Sequence, residues 1–184
     1  NGLYLAIVIP VLSMLTSSMA AYALARLRFR GRNVVFLLLI STMMIPGYVT
    51  LIPNFAIMVK LKLLNSHWAL ILRSALSGSA TSIFLFRQFF LSIPRDLENA
   101  AIVDGCSWPG VFFRIIMPNS KPAIATVIIL SFRSPWNSFL WPQLVLQTDR
   151  LWTWTLALKI LSESETNQAV LLAGSVISIL PILI

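Results

Sequence analysis

The stretch that decides the fold is the apolar run LYLAIVIPVLSMLTSSMAAYALA, which covers Leu3 to Ala25 without a charged residue. A second uncharged run of 27 residues covers Asn33 to Val59. About 20 predominantly apolar residues are enough for a helix to cross the hydrocarbon core of a bilayer. Because lipid offers no hydrogen-bonding partners, the backbone of such a run must satisfy itself as a helix. The sequence therefore predicts an all-α, polytopic transmembrane helical bundle.

The composition of the chain agrees with a membrane protein and disfavours other classes. Of its 184 residues, 58% are hydrophobic and 11% are charged, whereas soluble domains carry about 25% charged residues. The net charge of +8 does not form a basic face with interleaved aromatics, so we expect no nucleic-acid partner. Cys106 and His67 are the only cysteine and histidine. An intrachain disulfide is therefore excluded, and no metal centre is expected.

Five membrane spans can be placed along the chain. We expect the second to be kinked or broken at Pro46 and Gly47, because proline removes a helical hydrogen bond. Apolar sequence reaches both ends of the chain, so we interpret residues 1–184 as one transmembrane domain that is a fragment of a longer protein, whose C-terminal end is missing. The approximate bounds of the spans are Leu3–Leu24, Val34–Leu51, Trp68–Phe90, Pro122–Val145 and Gln168–Ile184.

The positive residues give the chain an orientation. Cytoplasmic loops carry an excess of Lys and Arg, and Arg26, Arg28, Arg30 and Arg32 directly follow the first apolar run. With this loop inside, eight basic residues lie on the cytoplasmic side and four on the opposite side. We therefore expect the N-terminus of this chain outside and the polar segment Leu91–Pro118 in the cytoplasm.

Two arginines fall inside predicted spans. Arg73 lies about five residues inside the third span, and we interpret it as reaching outward to water through its apolar stem. Arg133 lies near the middle of the fourth span, where a charge usually faces a cavity or a partner. Arg133 is therefore a candidate for a substrate pathway, with a structural contact inside the bundle as the alternative.

The polar segment LSIPRDLENAAIVDGCSWPGVFFRIIMP, Leu91–Pro118, is predicted to form two short helices joined by a turn. Pro94 suits the first turn of a helix. Gly105 suits the left-handed residue that ends one, and Ser107 offers an N-cap to the next. The segment is therefore built as a structured unit between two spans.

The second predicted helix of this segment has an apolar face, and we expect Pro118 to end the unit. An amphipathic hairpin on the membrane surface is an alternative that explains this face. It does not explain the small pair Ala100 and Ala101 followed by Asp104 and Gly105, which favours contact with another protein. The residues of the apolar face are Val111, Phe112, Ile115 and Ile116.

The segment resembles the EAA loop of ATP-binding-cassette (ABC) importer permeases, in which EAA is followed by three residues, Gly, nine residues and I-x-L-P. Here Asn99, Ala100 and Ala101 stand at the EAA positions, Gly105 follows after three residues, and Ile115-Ile116-Met117-Pro118 follow after nine more. The spacing matches the pattern throughout.

Two positions depart from the EAA pattern. Met117 replaces a leucine of similar volume, and Asn99 replaces the motif glutamate and so lacks its charge. Glu98 points about 100° away from Asn99 on a helix and cannot simply substitute for that glutamate.

Other stretches are similar to carbohydrate-type permeases of the maltose and glycerol-phosphate kind, and in particular to the second of their two partner subunits. These stretches are Ala21–Arg26 with Phe29-Arg30-Gly31, Ile93-Pro94, Ser131-Phe132 and the run WNSFLWP at Trp136–Pro142. The family usually has six spans, so the resemblance implies that one span precedes Asn1.

The resemblance implies a prokaryotic inner-membrane permease that is not itself an enzyme and has no cofactor, because a separate ATPase subunit binds the ATP. The segment Leu91–Pro118 would dock on that ATPase, and an extracytoplasmic solute-binding protein and a second permease subunit would complete the complex within the lipid. No GxxxxGK[ST] phosphate-binding loop occurs in the chain. The residues implied in ATPase coupling are Asn99, Ala100, Ala101, Asp104, Gly105, Ile115 and Pro118.

The cargo implied by the resemblance is a sugar or sugar derivative. Trp136, Asn137 and Trp141 combine aromatic rings with an amide, which suits stacking on a sugar and hydrogen bonding to it. An interfacial aromatic belt with Asn137 bonded across helices is the alternative. Together with Arg133, these residues are the candidates for a substrate pathway.

Three other functions remain as alternatives. A permease for a peptide, polyamine or ion would share the loop, and the WNSFLWP run favours carbohydrate over these. A secondary transporter would need acids within the spans for ion coupling, and all six carboxylates lie outside them. An intramembrane enzyme would need a Ser/His, Asp/Asp or HExxH arrangement in the membrane, and the sequence has none.

Overall fold

The computed structural model describes residues 1–75, 79–163 and 168–183, and the regular elements in these ranges are helices without a strand. Two short 3₁₀ turns cover Thr42–Met44 and Asp149–Leu151. The predicted all-α class is confirmed. The helices are α1 Gly2–Arg26, α2 Arg32–Ser41, α3 Leu51–Lys60, α4 Trp68–Ala75, α5 Ala80–Ser92, α6 Arg95–Val103, α7 Trp108–Asn119, α8 Lys121–Asn137, α9 Leu140–Val145, α10 Trp154–Glu163 and α11 Gln168–Leu183.

α1 is the central helix of the bundle and packs against α4, α5 and α8. Its 25 residues span roughly 37 Å at about 1.5 Å per residue, which is enough to cross the hydrocarbon core. Small residues on its contact faces allow neighbouring backbones to approach closely. The small residues that are fully buried are Ala6, Ser17, Ser18, Ala21 and Ala25.

Within the described ranges, α1 alone is long and apolar enough to cross a membrane as a single straight helix. α7 and α8 would pass the same test together, but they are bent by 81° where they meet. The first predicted span is therefore confirmed as a continuous helix.

The predicted break in the second span is confirmed. The 3₁₀ extension of α2 ends at Met44 and α3 begins at Leu51, so Pro46 and Gly47 lie in the turn between them. Proline lacks the amide hydrogen that would continue the helical ladder.

The predicted third and fourth spans, Trp68–Phe90 and Pro122–Val145, each contain a break. Ser79 has an extended backbone and caps the start of α5, so the third span is interrupted at Ser79. α8 ends at Asn137 and α9 begins at Leu140, with Pro135 in the last turn of α8 and Pro142 in the first turn of α9. The fifth span begins at Gln168 as predicted, and Ile184 lies outside the described residues.

Two clusters of buried side chains follow one another along α1. The inner cluster joins the C-terminal half of α1 to α5, α7 and the start of α8, with Phe86, Phe90 and Ile116 fully buried. The outer cluster joins the N-terminal half of α1 to α3, α4 and α9 around Leu5 and Val145. A cavity lies between the two clusters.

Candidate functional sites

The segment between α5 and α8 forms the two helices and the turn that its sequence predicts. Pro94 is the N-cap of α6, one position before the first helical turn. Gly105 has a φ of +83°, and Ser107 Oγ accepts a hydrogen bond from the Gly110 amide at 3.4 Å at the start of α7. The left-handed glycine and the capping serine together reverse the chain between α6 and α7.

α7 does not end at Pro118 as expected, but continues to Asn119 and meets α8 at Ser120. Its middle section, Phe112–Ile116, is a π-helix. Pro118, near the end of α7, has no amide hydrogen to donate to a helical carbonyl. Asn119 Nδ2 and Ser120 Oγ donate to the carbonyl oxygens of Ile115 and Ile116, each at 2.7 Å. These side chains bond carbonyl groups at the irregular end of α7.

The apolar face predicted for α7 is confirmed. Val111, Phe112 and Ile116 are buried in the inner cluster, and the half-buried Ile115 packs against it. α7 is therefore fixed to the membrane bundle by its apolar face, while Pro118 lies exposed.

The candidate docking residues divide between two sides of α6. Asn99, Ala100 and Val103 are exposed on one face, where Val103 is 86% exposed, and the exposed Asp104 and Gly105 follow it. We call these five residues the α6 surface. They form a patch of small, apolar and acidic groups directed away from the bundle.

Ala101 lies on the opposite side of α6 and packs against the inner cluster. Ala101 and Ile115 therefore face the bundle, whereas Asn99, Ala100, Asp104 and Gly105 share the α6 surface. The structure brings these four together at the surface and separates them from the inward-facing pair.

Glu98 is the residue that the sequence did not assign to a site. Its Oε1 lies 2.9 Å from Arg26 Nε, and their side chains are 7% and 2% exposed. Arg26 Nη2 also donates to the carbonyl oxygens of Phe90 and Ile93. The prediction that Glu98 points away from Asn99 is confirmed, and the structure shows that its side chain contacts Arg26. A lone acid on the Ala101 side of an otherwise exposed helix is the signal that could have indicated this pair.

Burial is the main influence on the Glu98 carboxyl. It raises the pKa of Glu98 above its usual value, and the positive charges of Arg26 and Arg95 offset part of that shift. The direction indicates that removal from water outweighs attraction to the arginines.

The cavity between the two clusters has a volume of about 460 Å³, within the range of roughly 300–1,000 Å³ that is usual for small-molecule sites. Hydroxyl groups dominate its polar lining, and Arg73 and Trp141 complete it. The hydroxyl-bearing residues of the lining are Ser13, Ser74, Ser79, Thr81, Ser82, Ser131, Ser134, Ser138 and Thr153.

Arg73 lines the cavity. Its guanidinium lies over the Trp141 ring, 4.4 Å from the ring centroid, and Trp141 Nε1 donates to the Ala69 carbonyl oxygen at 3.3 Å. Trp141 thus links α4 and α9 and places a cation and an aromatic ring beside the cavity.

Of the four candidate pathway residues, Trp141 lines this cavity and the other three do not. Trp136 is buried, and its Nε1 donates to the Ser178 carbonyl oxygen at 3.0 Å, which fastens α8 to α11. Arg133 and Asn137 are exposed on the outside of α8. The structure therefore does not bring the four residues into one site.

The comparison with known families decides the identity of this arrangement. Residues 5–184 match the family described as the binding-protein-dependent transport system inner membrane component. The chain belongs to this family. The family description places the protein in a membrane, and it agrees with a helical bundle whose loop carries the EAA spacing.

Curated relatives of this family member include permease proteins of oligosaccharide and glycerol-phosphate transport systems. The chain is 43% identical to the arabinooligosaccharides transport system permease protein AraQ of Halalkalibacterium halodurans, over 100% of this chain and 66% of that protein. It is 33% identical to the sn-glycerol-3-phosphate transport system permease protein UgpE of Pectobacterium atrosepticum, over 98% of this chain and 65% of that protein. The chain thus spans slightly less than two thirds of these relatives.

A solved structure of a bacterial ABC transporter involved in the import of the acidic polysaccharide alginate has the same fold. The TM-score is 0.88 at 28% sequence identity, and the match covers 100% of this chain and 69% of that one. The polytopic helical bundle of an ABC permease is therefore the fold of this family member.

Proposed function

We propose that this chain belongs to a permease subunit of an ABC importer that moves a sugar or sugar derivative into the cell. The observation that carries the proposal is the α6 surface, an exposed face that presents Asn99, Ala100 and Gly105 of the EAA pattern on a helix packed against the bundle of this family. Relatives named for arabinooligosaccharides and sn-glycerol-3-phosphate support a carbohydrate or a derivative of one as cargo.

The α6 surface is where we expect a separate ATPase subunit to dock. Its exposed alanine and glycine allow close approach of another protein, and Val103 offers an apolar side chain to be buried on contact. ATP is bound and hydrolysed by that partner, and its closure displaces α6. The subunit described here contributes no catalytic group.

The cavity is suited to a polyhydroxylated cargo. Serine and threonine hydroxyls both donate and accept hydrogen bonds, and the Trp141 ring offers an apolar face on which a sugar ring can stack. α1, α4, α5, α8 and α9 all contribute to its wall, so a rearrangement of these helices changes access to the cavity.

The N-terminus of the chain is proposed to lie outside and the α6 surface in the cytoplasm. The arginines that follow α1 and Arg95 at the start of α6 support this orientation. A membrane-impermeant maleimide tests it, because Cys106 lies just after α6 and should react in inverted vesicles but not in intact cells. Reaction only from outside would reverse the orientation. An external solute-binding protein and a second permease subunit complete the proposed assembly.

The experiment that tests this function is reconstitution of the full-length protein with its co-purifying subunits in liposomes. Labelled arabinooligosaccharides, glycerol phosphates, peptides and polyamines are offered in turn, with and without ATP. We expect ATP-dependent uptake of a carbohydrate. Uptake of a peptide or polyamine alone would replace the proposed cargo, and uptake driven by an ion gradient without ATP would exclude an ABC importer.

A further inference from the structure

Arg26 stands where three parts of the chain meet. It is the last residue of α1, its Nε contacts Glu98 of α6, and its Nη2 donates to two carbonyl oxygens at the end of α5. The last carbonyl groups of a helix lack partners within that helix. Arg26 therefore satisfies the end of α5 and binds α6 with the same guanidinium.

The pair between Arg26 and Glu98 differs from the other ion pair in the described part of the chain. Lys159 and Glu163 are four residues apart on α10, with a distance of 3.1 Å and side chains that are 47% and 58% exposed. The Arg26–Glu98 pair is almost completely buried and joins separate helices. A buried pair resists separation, because parting its members leaves an uncompensated charge away from water.

Burying the Arg26–Glu98 pair carries a desolvation cost, so the pair is not explained by folding stability alone. Burial raises the pKa of Glu98 despite the two nearby arginines, and apolar residues of similar volume often replace such pairs without loss of stability. The apolar contacts of α7 with the inner cluster already hold the segment to the bundle. The pair therefore supplies a directional contact between α1 and α6, which apolar packing does not supply.

We propose that Arg26 and Glu98 are positioning residues that transmit the displacement of α6 to α1 and α5. Both of these helices also line the cavity, through Ser13 on α1 and Ser82 on α5. A push on the α6 surface is thus carried by one buried ion pair to two walls of the cavity. The inference rests on the proposed function, since the displacement comes from the docked ATPase.

The test compares two matched substitutions, Glu98→Gln and Glu163→Gln, in the reconstituted complex. Each replaces a paired glutamate by an amide of the same shape, one in the buried pair and one in the exposed pair. ATP hydrolysis, ATPase assembly and uptake are measured together. We expect E98Q to keep assembly and hydrolysis while uptake per ATP falls by about tenfold or more, because a buried partner is lost. E163Q should match the wild type.

A second readout does not depend on transport. Cys106 follows α6 and packs against the inner cluster, so its rate of reaction with a maleimide reports detachment of α6. In membranes containing the full-length protein, we expect faster labelling of Cys106 in E98Q than in E163Q or the wild type. Unchanged labelling together with an unchanged ratio of uptake to hydrolysis would overturn the proposal.

The remaining outcomes also decide between the possibilities. Loss of ATPase assembly in E98Q would make the pair part of docking and overturn the transmission role. If E98Q does not accumulate, Glu98→Asp keeps the charge with a shorter reach, and a wild-type ratio of uptake to hydrolysis in that variant would count against the proposal. If the wild type shows no ATP-dependent uptake, the proposed function fails, and with it transmission from an ATPase, while labelling still reports whether the pair holds α6.

Discussion

Glu98 and Asn99 are neighbours in the chain but face different surroundings. Glu98 is buried against Arg26, and Asn99 lies on the α6 surface. A helix turns by about 100° per residue, so adjacent polar residues on α6 serve the bundle and the exterior separately. The absence of the motif glutamate at position 99 therefore alters only the exterior side of α6.

Asn99→Glu restores the charge of the family pattern on that exterior side. Because the residue is exposed, we expect no change in thermal stability, and an affinity for the ATPase subunit that rises by up to about fivefold through a surface ion pair. Asn99→Gln is the control, since it has the shape of glutamate without its charge. Binding of the ATPase to each variant is measured by titration, and equal affinities for N99E and N99Q would contradict the prediction.

At the scale of helices and turns, the segment from α6 to α7 depends on one glycine. Gly105 has a φ of +83°, and nothing lies within 4 Å of the position where a Cβ would be placed. Close packing within the chain therefore does not require a glycine at this position, and the backbone conformation is what favours it. The turn that sets the α6 surface relative to α7 rests on this conformation.

Gly105→Ala should lower the free energy of unfolding by about 1 kcal/mol, because an L side chain disfavours the left-handed region. Gly47→Ala is the control, since its Cβ also meets open space and its φ is not in that region. The measurement is the midpoint of thermal unfolding in detergent. A shift of about 2–4 °C is expected for G105A in a chain of this size. An equal shift for both variants would rule out a conformational cause.

The elements that could be predicted are those marked by local chemistry. Proline and glycine located the break between α2 and α3, and glycine and serine located the turn between α6 and α7. The breaks at Ser79 and after α8 were missed because each lies within a stretch that has no charged residue. The pair between Arg26 and Glu98 was missed for another reason, since it joins positions far apart in sequence and each residue had a sufficient local explanation.

For the whole molecule, the arrangement of the two buried clusters explains where a cavity can exist. α1 runs through both clusters, and the interrupted spans leave room between them. Serine-rich positions that looked unremarkable along each helix meet only after the helices pack. The candidate pathway residues on α8 and α9 could not be placed from sequence, because WNSFLWP contains the helix break that gives Trp136 and Trp141 different neighbours.

Trp141→Phe tests the cavity as a cargo site. The substitution keeps a ring but removes the N–H that donates to Ala69 and weakens the contact with Arg73. We expect the KM for uptake to rise about fivefold, because the hydrogen bond to Ala69 no longer holds the ring in its stacking position and one such bond contributes about 1 kcal/mol. The maximal rate should change little. Trp154→Phe is the control, because it removes a similar indole bond, to Ser178, outside the cavity lining. A change in the maximal rate alone, or equal effects of both variants, would exclude a direct role for Trp141.

The 81° bend between α7 and α8 has a consequence for the lipid. If α8 follows the membrane normal, α7 lies nearly in the plane of the bilayer, with the exposed rings of Trp108 and Phe113 suited to the headgroup region. In that arrangement, α7 at the membrane surface limits how deeply α8 is inserted into the bilayer. A change in bilayer thickness would then alter the hydrophobic mismatch of α8. Because α6 is joined to α7, we expect such a change to shift the position of α6 without any ligand.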